Sequence, residues 1–200
     1  MPDLKPPTTD RVVVRLARPE DTAGLVALAA ATFPDACPPG LSAEAIAEHV
    51  ARELDDTHFR SWVAGRYGEP ATPCVLLVAE AGDRLVGYAL LVRARPADPS
   101  VLDPYLGAEY PTAAAVELSK IYALASARGT GAAGTLMRGA LEASVELLDG
   151  QAVWLGTNRE NVRAQTFYRK HGFVEVGRRS YLVGGVPQDD LVLARPLGSR

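Results

Sequence analysis

Apolar residues along the chain recur alternately with a period of two and with a helical period, which predicts strands and helices in alternation. The first segment, RVVVRLA at residues 11–17, predicts a strand. The next, DTAGLVALAAATF at residues 21–33, places Leu25, Leu28 and Ala29 on one helical face. The chain is therefore expected to open with a strand followed by an amphipathic helix.

A second helix is predicted in SAEAIAEHVARELDD, residues 42–56. Its first serine is a favourable N-cap, and Ile46, Val50 and Leu54 recur at a spacing of four residues. The three prolines of PDACPPG separate the two helices, because proline cannot continue the helical hydrogen bonds.

The remaining apolar runs predict a hairpin and then an alternation of strands and helices. CVLLVAEAGDRLVGYALLVRA reads as two strands around a turn at Gly82, and the proline-rich residues 95–112 as an ordered surface loop. Further strands are predicted in VELSKIYAL, AVWLG, FVEVGRR and DDLVLAR, the last two as an antiparallel pair, and further helices in GTLMRGALEASVELL and NVRAQTFYRKH. This order indicates a mixed sheet with helices on both faces.

The composition predicts one globular domain without a membrane segment. The chain has 200 residues, of which 48% are hydrophobic and 22% are charged, as in ordinary globular domains. A flexible tail is predicted at residues 1–10, which are polar and proline-rich, followed by a single domain at residues 11–197. Because the start lacks a signal-peptide pattern and the apolar runs are strand-sized, we expect a cytoplasmic protein with no membrane partner.

The distribution of charged residues narrows the classes of partner. A net charge of −3 argues against nucleic-acid binding, which needs a basic surface. Residues 1–60 hold ten acidic against six basic side chains, whereas residues 158–179 hold six basic against two acidic ones. This asymmetry suits a cationic substrate and an anionic cofactor, although two ordinary solvated surfaces would produce the same pattern.

The cysteines and histidines do not follow a metal-binding pattern. Cys37 and Cys74 lack the CxxC spacing, and the three histidines have no cysteine ligands nearby, so no metal is expected. We expect two reduced thiols in a cytosolic protein, and the sequence leaves open whether they ever pair.

A glycine-rich turn between a predicted strand and the next helix carries the most chemical information. This turn is Arg128–Gly134, RGTGAAG. A helix N-terminus exposes unpaired backbone N–H groups, so small residues there let a diphosphate approach closely, and Arg128 adds a positive charge. The turn is not a Walker loop, because no Gly-Lys-Ser/Thr follows it. Close packing of helix on sheet would also explain the glycines.

A second motif follows at a fixed distance from this turn. VWLGTNRENVRAQTFYRKHGF, residues 153–173, combines a strand, an asparagine at a helix start and the ending FYRKHGF. Together with RGTGAAG it resembles the GNAT superfamily of N-acetyltransferases, and the resemblance extends over residues 12–196. The chain resembles the bacterial polyamine (spermine/spermidine) acetyltransferases more closely than the peptide or aminoglycoside branches in ELSKIYAL, VWLGTNRENVRAQTFYRKHGF, the YLVGG loop and DDLVLARPL. The resemblance implies an α/β (mixed α+β) fold with a twisted, mostly antiparallel central sheet of about seven strands, flanked by helices on both faces.

The resemblance also implies that acetyl-CoA is bound as a co-substrate and that no metal is needed. In this family the turn holds the pyrophosphate, the preceding strand pairs with the pantetheine arm, and an asparagine contacts the pantetheine end. These positions correspond here to Ile121, Tyr122, Ala123, Arg128, Gly129, Thr130, Gly131, Ala133, Gly134 and Asn161. Tyr168 matches the residue that contacts the cofactor and protonates the departing thiolate. Ala133 stands where many members have glycine, a change that the family tolerates.

The candidate catalytic residues are Tyr168 and Glu117. Outside the motif, Tyr168 would be read as an aromatic side chain packed within its helix. Glu117 is the candidate base, because a carboxylate is the usual proton acceptor and strand alternation predicts that it shares a face with Ile121. A solvent-facing position at the strand start is the alternative, and Glu80 and Glu109 are weaker candidates. Since neither cysteine lies in the motif region, direct transfer without a covalent intermediate is expected.

The acceptor is predicted to be a small-molecule primary amine, with a polyamine as the finer hypothesis. Acidic side chains in and after the second helix fit a polycation, although such residues more often form a solvated face; they are Glu44, Glu48, Glu53, Asp55 and Asp56. One alternative is acetylation of a protein N-terminus or lysine. Another is a non-catalytic acetyl-CoA-binding module, which could dispense with Tyr168. The sequence leaves open whether the chain forms a homodimer.

Overall fold

Eight strands and five α-helices are formed by residues 11–38, 40–97 and 114–197, which the computed structural model describes. The strands are β1 (Val12–Leu16), β2 (Arg66–Tyr67), β3 (Thr72–Ala81), β4 (Arg84–Val92), β5 (Ala115–Ala123), β6 (Ala152–Asn158), β7 (Val174–Val183) and β8 (Val186–Pro196). The helices are α1 (Thr22–Thr32), α2 (Ala43–Glu53), α3 (Asp56–Val63), α4 (Ala132–Glu146) and α5 (Val162–Lys170). The predicted tail at residues 1–10 and most of the predicted surface loop at residues 95–112 lie outside the described residues.

The strands form one mixed sheet in the order β1-β3-β4-β5-β6-β8-β7, with β2 added to β3. All neighbouring strands are antiparallel except β5 and β6, which are parallel. The predicted hairpin is formed by β3 and β4, and Gly82 in its turn has a φ of 65°, where glycine is favoured. The predicted mostly antiparallel sheet is therefore confirmed, with eight strands instead of about seven because the two-residue β2 was not expected.

Helices cover both faces of the sheet, as predicted. On one face, Leu136, Met137 and Ala140 of α4 pack on strand residues such as Leu77. On the other face, α1 and α3 bury an aromatic cluster that includes Phe59, which is fully buried. Burial of these apolar surfaces on both sides supplies the main stabilisation of the sheet.

The second predicted helix ends three residues early in the structure, and a further helix that was not predicted, α3, follows it. α2 ends at Glu53, and Leu54 leaves the helical conformation with its side chain buried. Asp55 then starts α3, because its carboxylate accepts a hydrogen bond from the backbone N–H of His58 at 2.9 Å. The break turns the chain so that Trp62 of α3 is buried against the sheet.

A register shift in β5 lies close to the point where the sheet opens. Leu118 pairs with Leu91 of β4 and Lys120 with Leu90, so Ser119 is an extra residue and forms a β-bulge. On its other side, β5 pairs with β6 only at residues 115–117. Beyond that point the two parallel strands separate, and the gap between their C-terminal halves leads into the molecule.

Candidate active site

The gap between β5 and β6 is the entrance to a cleft of about 690 Å³. It is bordered by the N-terminal ends of α4 and α5, and its inner part is closed by side chains of β7 and β8. The predicted site residues that line it are Glu117, Ile121, Tyr122, Ala123, Arg128, Gly129, Gly131, Ala133, Gly134, Asn161 and Tyr168. The tertiary structure thus brings residues from β5, from the turn after it and from α5 into one cavity.

The turn from β5 to α4 presents free backbone amides to the cleft. Gly129 and Gly131 have φ angles of 82° and 83°, and Gly131 is the N-cap of α4. Such angles favour glycine, which explains the composition of the turn. No hydrogen bond among the described residues uses the amides of Ala133 and Gly134. These amides and the helix dipole make the turn suited to an anion.

Thr130 differs from its neighbours in the turn and does not line the cleft. Its hydroxyl donates to the carbonyl of Ala127 at 2.8 Å and accepts from the amide of Ala132 at 3.3 Å. The side chain of Thr130 therefore closes the turn from inside, and the predicted cofactor contact at Thr130 stays a prediction.

Arg128 forms an ion pair across the cleft mouth. Its Nη2 atom lies 2.6 Å from Oδ2 of Asp35, and both side chains are about half exposed. Two side chains at the start of α5 also donate hydrogen bonds to the segment around Asp35. Arg163 donates to the backbone carbonyl of Asp35, and Asn161 donates to the carbonyl of Ala36, both at 3.4 Å. The short segment Pro34–Ala36 thus connects the glycine-rich turn to the start of α5.

Tyr168 lies on α5 with its ring between two phenylalanines. The ring centroids of Phe167 and Phe173 are 5.7 and 5.9 Å away. Burial and the neighbouring Asp190 raise the pKa of Tyr168 well above its ordinary value, so its hydroxyl stays protonated at neutral pH. No side-chain hydrogen bond among the described residues occupies that hydroxyl. It is a protonated group available to the cleft.

Asn161 lines the cleft, but its side chain is already used by the fold. The side-chain oxygen accepts from the amide of Ala164 at 3.0 Å and so caps α5. The side-chain nitrogen donates to Ala36. Each of these two atoms can form one further hydrogen bond, so a ligand contact by this side chain does not require either bond to break.

The prediction that Glu117 and Ile121 lie on the same face of β5 is wrong, because a β-bulge lies between them. Leu118 and Ile121 pack in the core beneath α4, whereas Tyr122 packs in the core beneath α1 and α3. Simple alternation would place residues 118 and 122 on the same face. Since Ser119 shifts the alternation by one residue, Glu117 shares its face with Lys120 and not with Ile121.

Glu117 is held by Arg179, a residue that was not predicted for the site. Nη1 of Arg179 lies 3.2 Å from Oε1 of Glu117, and Nε lies 3.6 Å from Oδ2 of Asp190. The guanidinium also stacks over Trp154 at 5.5 Å. It fits against β6 only because Gly156 has no side chain, since a Cβ atom there would collide with it. Arg179 was visible in the basic run at residues 158–179, but its contact with Glu117 was not.

Lys120 is the second cation of the inner cleft that sequence reasoning missed. It is half-buried, with Nζ 4.9 Å from the centre of the Trp62 ring. Burial lowers the pKa of Lys120, partly offset by Glu117 and Glu53. The lysine is apparent in the motif ELSKIYAL, but only the bulge brings it onto the same face as Glu117.

Two of the three sequence candidates for the base are not part of the cleft as described. Glu80 does not line it and instead forms an ion pair with Arg15. Glu109 lies outside the described residues. Glu117 is thus the candidate that the described cleft contains.

The acidic side chains that were predicted to attract a polycation do not line the cleft. Several are bound to neighbours on their own helix or turn: Arg52 pairs with Glu48 at 3.3 Å and with Glu53 at 2.8 Å. Asp55 caps α3, and Asp56 is bound to an arginine one turn away. In the structure they behave as a solvated, internally paired helix surface.

Both cysteines are free, and Cys37 lines the cleft. Burial raises the pKa of each thiol to about 11, so both are protonated at neutral pH. A protonated thiol is a poor nucleophile.

Within residues 11–38, 40–97 and 114–197, no three histidine, cysteine, aspartate or glutamate side chains are grouped as a metal ion would require. None of the helices in the same ranges combines the length and apolar character needed to cross a bilayer.

Comparison with known proteins relates this architecture to acetyl transfer. The profile of the acetyltransferase (GNAT) family matches residues 37–173. An uncharacterised N-acetyltransferase of Mycobacterium bovis is 37% identical over 177 residues, which cover 88% of this chain and 98% of the relative.

Solved structures share the fold. The ribosomal-protein-alanine N-acetyltransferase of Brucella melitensis superposes with a TM-score of 0.63 at 23% identity, covering 92% of this chain and 99% of that one. The yncA protein of Salmonella typhimurium, solved with its cofactor acetyl-CoA, superposes with a TM-score of 0.66 at 15% identity, covering 94% and 95%. With the profile match and the mycobacterial relative, the cleft and its amide-rich turn identify the chain as a member of the acetyltransferase (GNAT) family of N-acetyltransferases.

Proposed function

We propose that the chain transfers the acetyl group of acetyl-CoA directly to a primary amine inside the cleft between β5 and β6. Family membership makes it an acetyl-CoA-dependent N-acetyltransferase of the GNAT type. The direct transfer to an amine is supported by the cleft, which has free backbone amides at one end, Glu117 at the other and Tyr168 on its wall. A diphosphate and a reacting amine can therefore occupy the same cavity.

The co-substrate is proposed to bind with its pyrophosphate on the amides of Ala133 and Gly134 and beside Arg128. These donors and the helix dipole favour a dianion, and the family uses the same turn. The pantetheine arm would then run along β5 at Ile121–Ala123, where β6 no longer pairs with β5. An extended chain can use such an unpaired strand edge for hydrogen bonds.

Proton transfers are assigned to Glu117 and Tyr168. An alkyl ammonium with a pKa near 10.4 loses its proton at pH 7 at a cost of about 4.6 kcal/mol, so a base is needed. Glu117 accepts that proton, directly or through water, and the free amine attacks the thioester carbon. The C–N bond forms, the C–S bond breaks, and the thiolate takes the proton of the Tyr168 hydroxyl. The proton that the nitrogen loses on becoming an amide passes through water to the tyrosinate and restores Tyr168. Both thiols stay protonated, which supports direct transfer.

The finer hypothesis of a polyamine acceptor rests on the motif resemblance alone. The acidic side chains that supported it from the sequence lie off the cleft and are largely paired. A peptide amine and a non-catalytic module remain the alternatives to a small-molecule amine.

The decisive experiment follows CoA release and product mass with acetyl-CoA and a panel of amines: spermidine, glucosamine, free amino acids and an N-terminal peptide. We expect an acetylated product from a small amine. Turnover of the peptide alone would show that the acceptor is a protein or peptide amine. Tight acetyl-CoA binding without a product from any amine would indicate a non-catalytic module.

Glu117→Gln is expected to lower kcat/KM for the amine by roughly 100-fold near pH 7, because glutamine cannot accept a proton. The loss should shrink as the pH rises, since more of the amine is already neutral. Glu80→Gln, a paired glutamate away from the cleft, is the matched control. An equal loss at every pH would show that Glu117 has another role.

Asp35→Asn is expected to tighten acetyl-CoA binding about two- to five-fold, the range of an exposed ion pair, because Arg128 no longer has to leave a carboxylate to reach the pyrophosphate. Calorimetry at low salt measures the effect. The control is Asp56→Asn, an exposed aspartate paired with Arg60 outside the cleft. Weaker or unchanged binding in Asp35→Asn would refute competition for Arg128.

A further inference from the structure

The charges of the inner cleft are unevenly matched. Its carboxylates, Glu117 and Asp190, both face the single guanidinium of Arg179, at 3.2 and 3.6 Å. Lys120 has no carboxylate within ion-pair distance among the described residues, and its ammonium rests on the Trp62 ring. Lys120 is therefore the charged side chain of the acceptor end that has no ion-pair partner among the described residues.

Among the residues that the structure describes, the ammonium of Lys120 has no anionic partner of the kind that burial normally requires. Removing a cation from water is unfavourable unless an anion or hydrogen-bond acceptor replaces the lost hydration, and the lowered pKa of Lys120 expresses that deficit. The aromatic ring below it restores only part of the hydration energy. A bound anion would complete the site.

We propose that the acceptor is an amino acid, whose carboxylate binds the ammonium of Lys120 while its amine faces Glu117. This inference rests on the proposed acetyl transfer and names its substrate class. A polycation would instead meet carboxylates already bound by Arg179 and an ammonium that repels it.

The spacing of the two side chains supports a short acceptor. Because Ser119 is the extra residue of the bulge, Glu117 and Lys120 behave as successive residues on one strand face, roughly 7 Å apart along β5. With one hydrogen bond at each end, that spacing favours an amine and a carboxylate carried by the same short molecule. A long diamine does not fit this pattern.

The test compares kcat/KM for leucine, methionine and phenylalanine with their amides and their decarboxylated amines. The amide has a less basic amine than the amino acid, and the decarboxylated compound a more basic one. A preference for the amino acid over both, expected to be at least roughly 10-fold, therefore cannot arise from amine basicity.

Two substitutions assign the preference to Lys120. In Lys120→Met, the ratio of kcat/KM for the amino acid over the decarboxylated amine should fall roughly 10- to 100-fold, mainly through KM. Lys120→Arg keeps the charge and should restore most of the ratio. Calorimetry of acetyl-CoA binding shows that each variant is folded.

The possible results distinguish a failure of the amino-acid acceptor from a failure of the proposed acetyl transfer. Acetylation of decarboxylated amines as fast as amino acids, with a ratio insensitive to Lys120→Met, would overturn the amino-acid assignment and leave the acetyltransferase intact. Equal loss of all acceptors in both Lys120 variants would make Lys120 a base and overturn it too. No acetylated product from any amine would overturn both proposals.

Discussion

Replacing Gly131 by aspartate is expected to weaken acetyl-CoA binding by roughly 100-fold or more. The carboxylate would stand at the N-terminus of α4, beside the amides of Ala133 and Gly134 on which the pyrophosphate is proposed to bind. Two anions brought together in a partly desolvated site repel each other by several kcal/mol. A 100-fold loss of affinity requires only about 2.8 kcal/mol. Calorimetry with acetyl-CoA measures the loss directly.

The matched control is Gly131→Asn. Gly131 has a φ of 83°, and a Cβ atom there would meet no described residue other than its neighbours along the chain within 4 Å, so backbone strain and not crowding is the structural risk. Aspartate and asparagine tolerate the left-handed region about equally and have the same shape, so their difference isolates the charge. Equal acetyl-CoA affinities of the two variants would show that the pyrophosphate does not bind at this turn.

Tyr168→Phe is expected to lower kcat by about 10- to 1,000-fold while leaving acetyl-CoA affinity nearly unchanged. The hydroxyl that is proposed to protonate the thiolate is lost, whereas the ring keeps its contacts with Phe167 and Phe173. Steady-state rates with saturating acetyl-CoA, together with calorimetry, separate the two quantities.

Tyr67 provides a control for general effects of a lost hydroxyl. It also lines the cleft, and burial also raises its pKa, but it lies on the acceptor side, on β2. Tyr67→Phe should retain far more of kcat than Tyr168→Phe. Full activity of Tyr168→Phe would make Tyr168 a packing residue, as its aromatic neighbours alone would suggest.

The local pattern of the sequence was sufficient for most elements and for the turn. The hairpin around Gly82, the strand before RGTGAAG and the helices after it follow from periodicity and from residues with strong local preferences. Short elements were not predicted, because they are too short to show a periodic pattern. β2 has two residues, and the start of α3 at Asp55 depends on a cap and on buried aromatic side chains that no periodic pattern announces.

The inner cleft depended on the tertiary structure. From the sequence alone, Glu117 was expected beside Ile121 and a polycation beside the acidic helices, because alternation and charge counts treat each segment in isolation. The extra residue Ser119 is defined by pairing with β4, and it moves Lys120 next to Glu117. Arg179 reaches Glu117 from β7, 62 residues later in the chain, over the bare backbone of Gly156. The sequence by itself determined the family, the fold class and the amide-rich turn, since these depend on contiguous residues. Only the packing of distant strands decided which charges the acceptor meets.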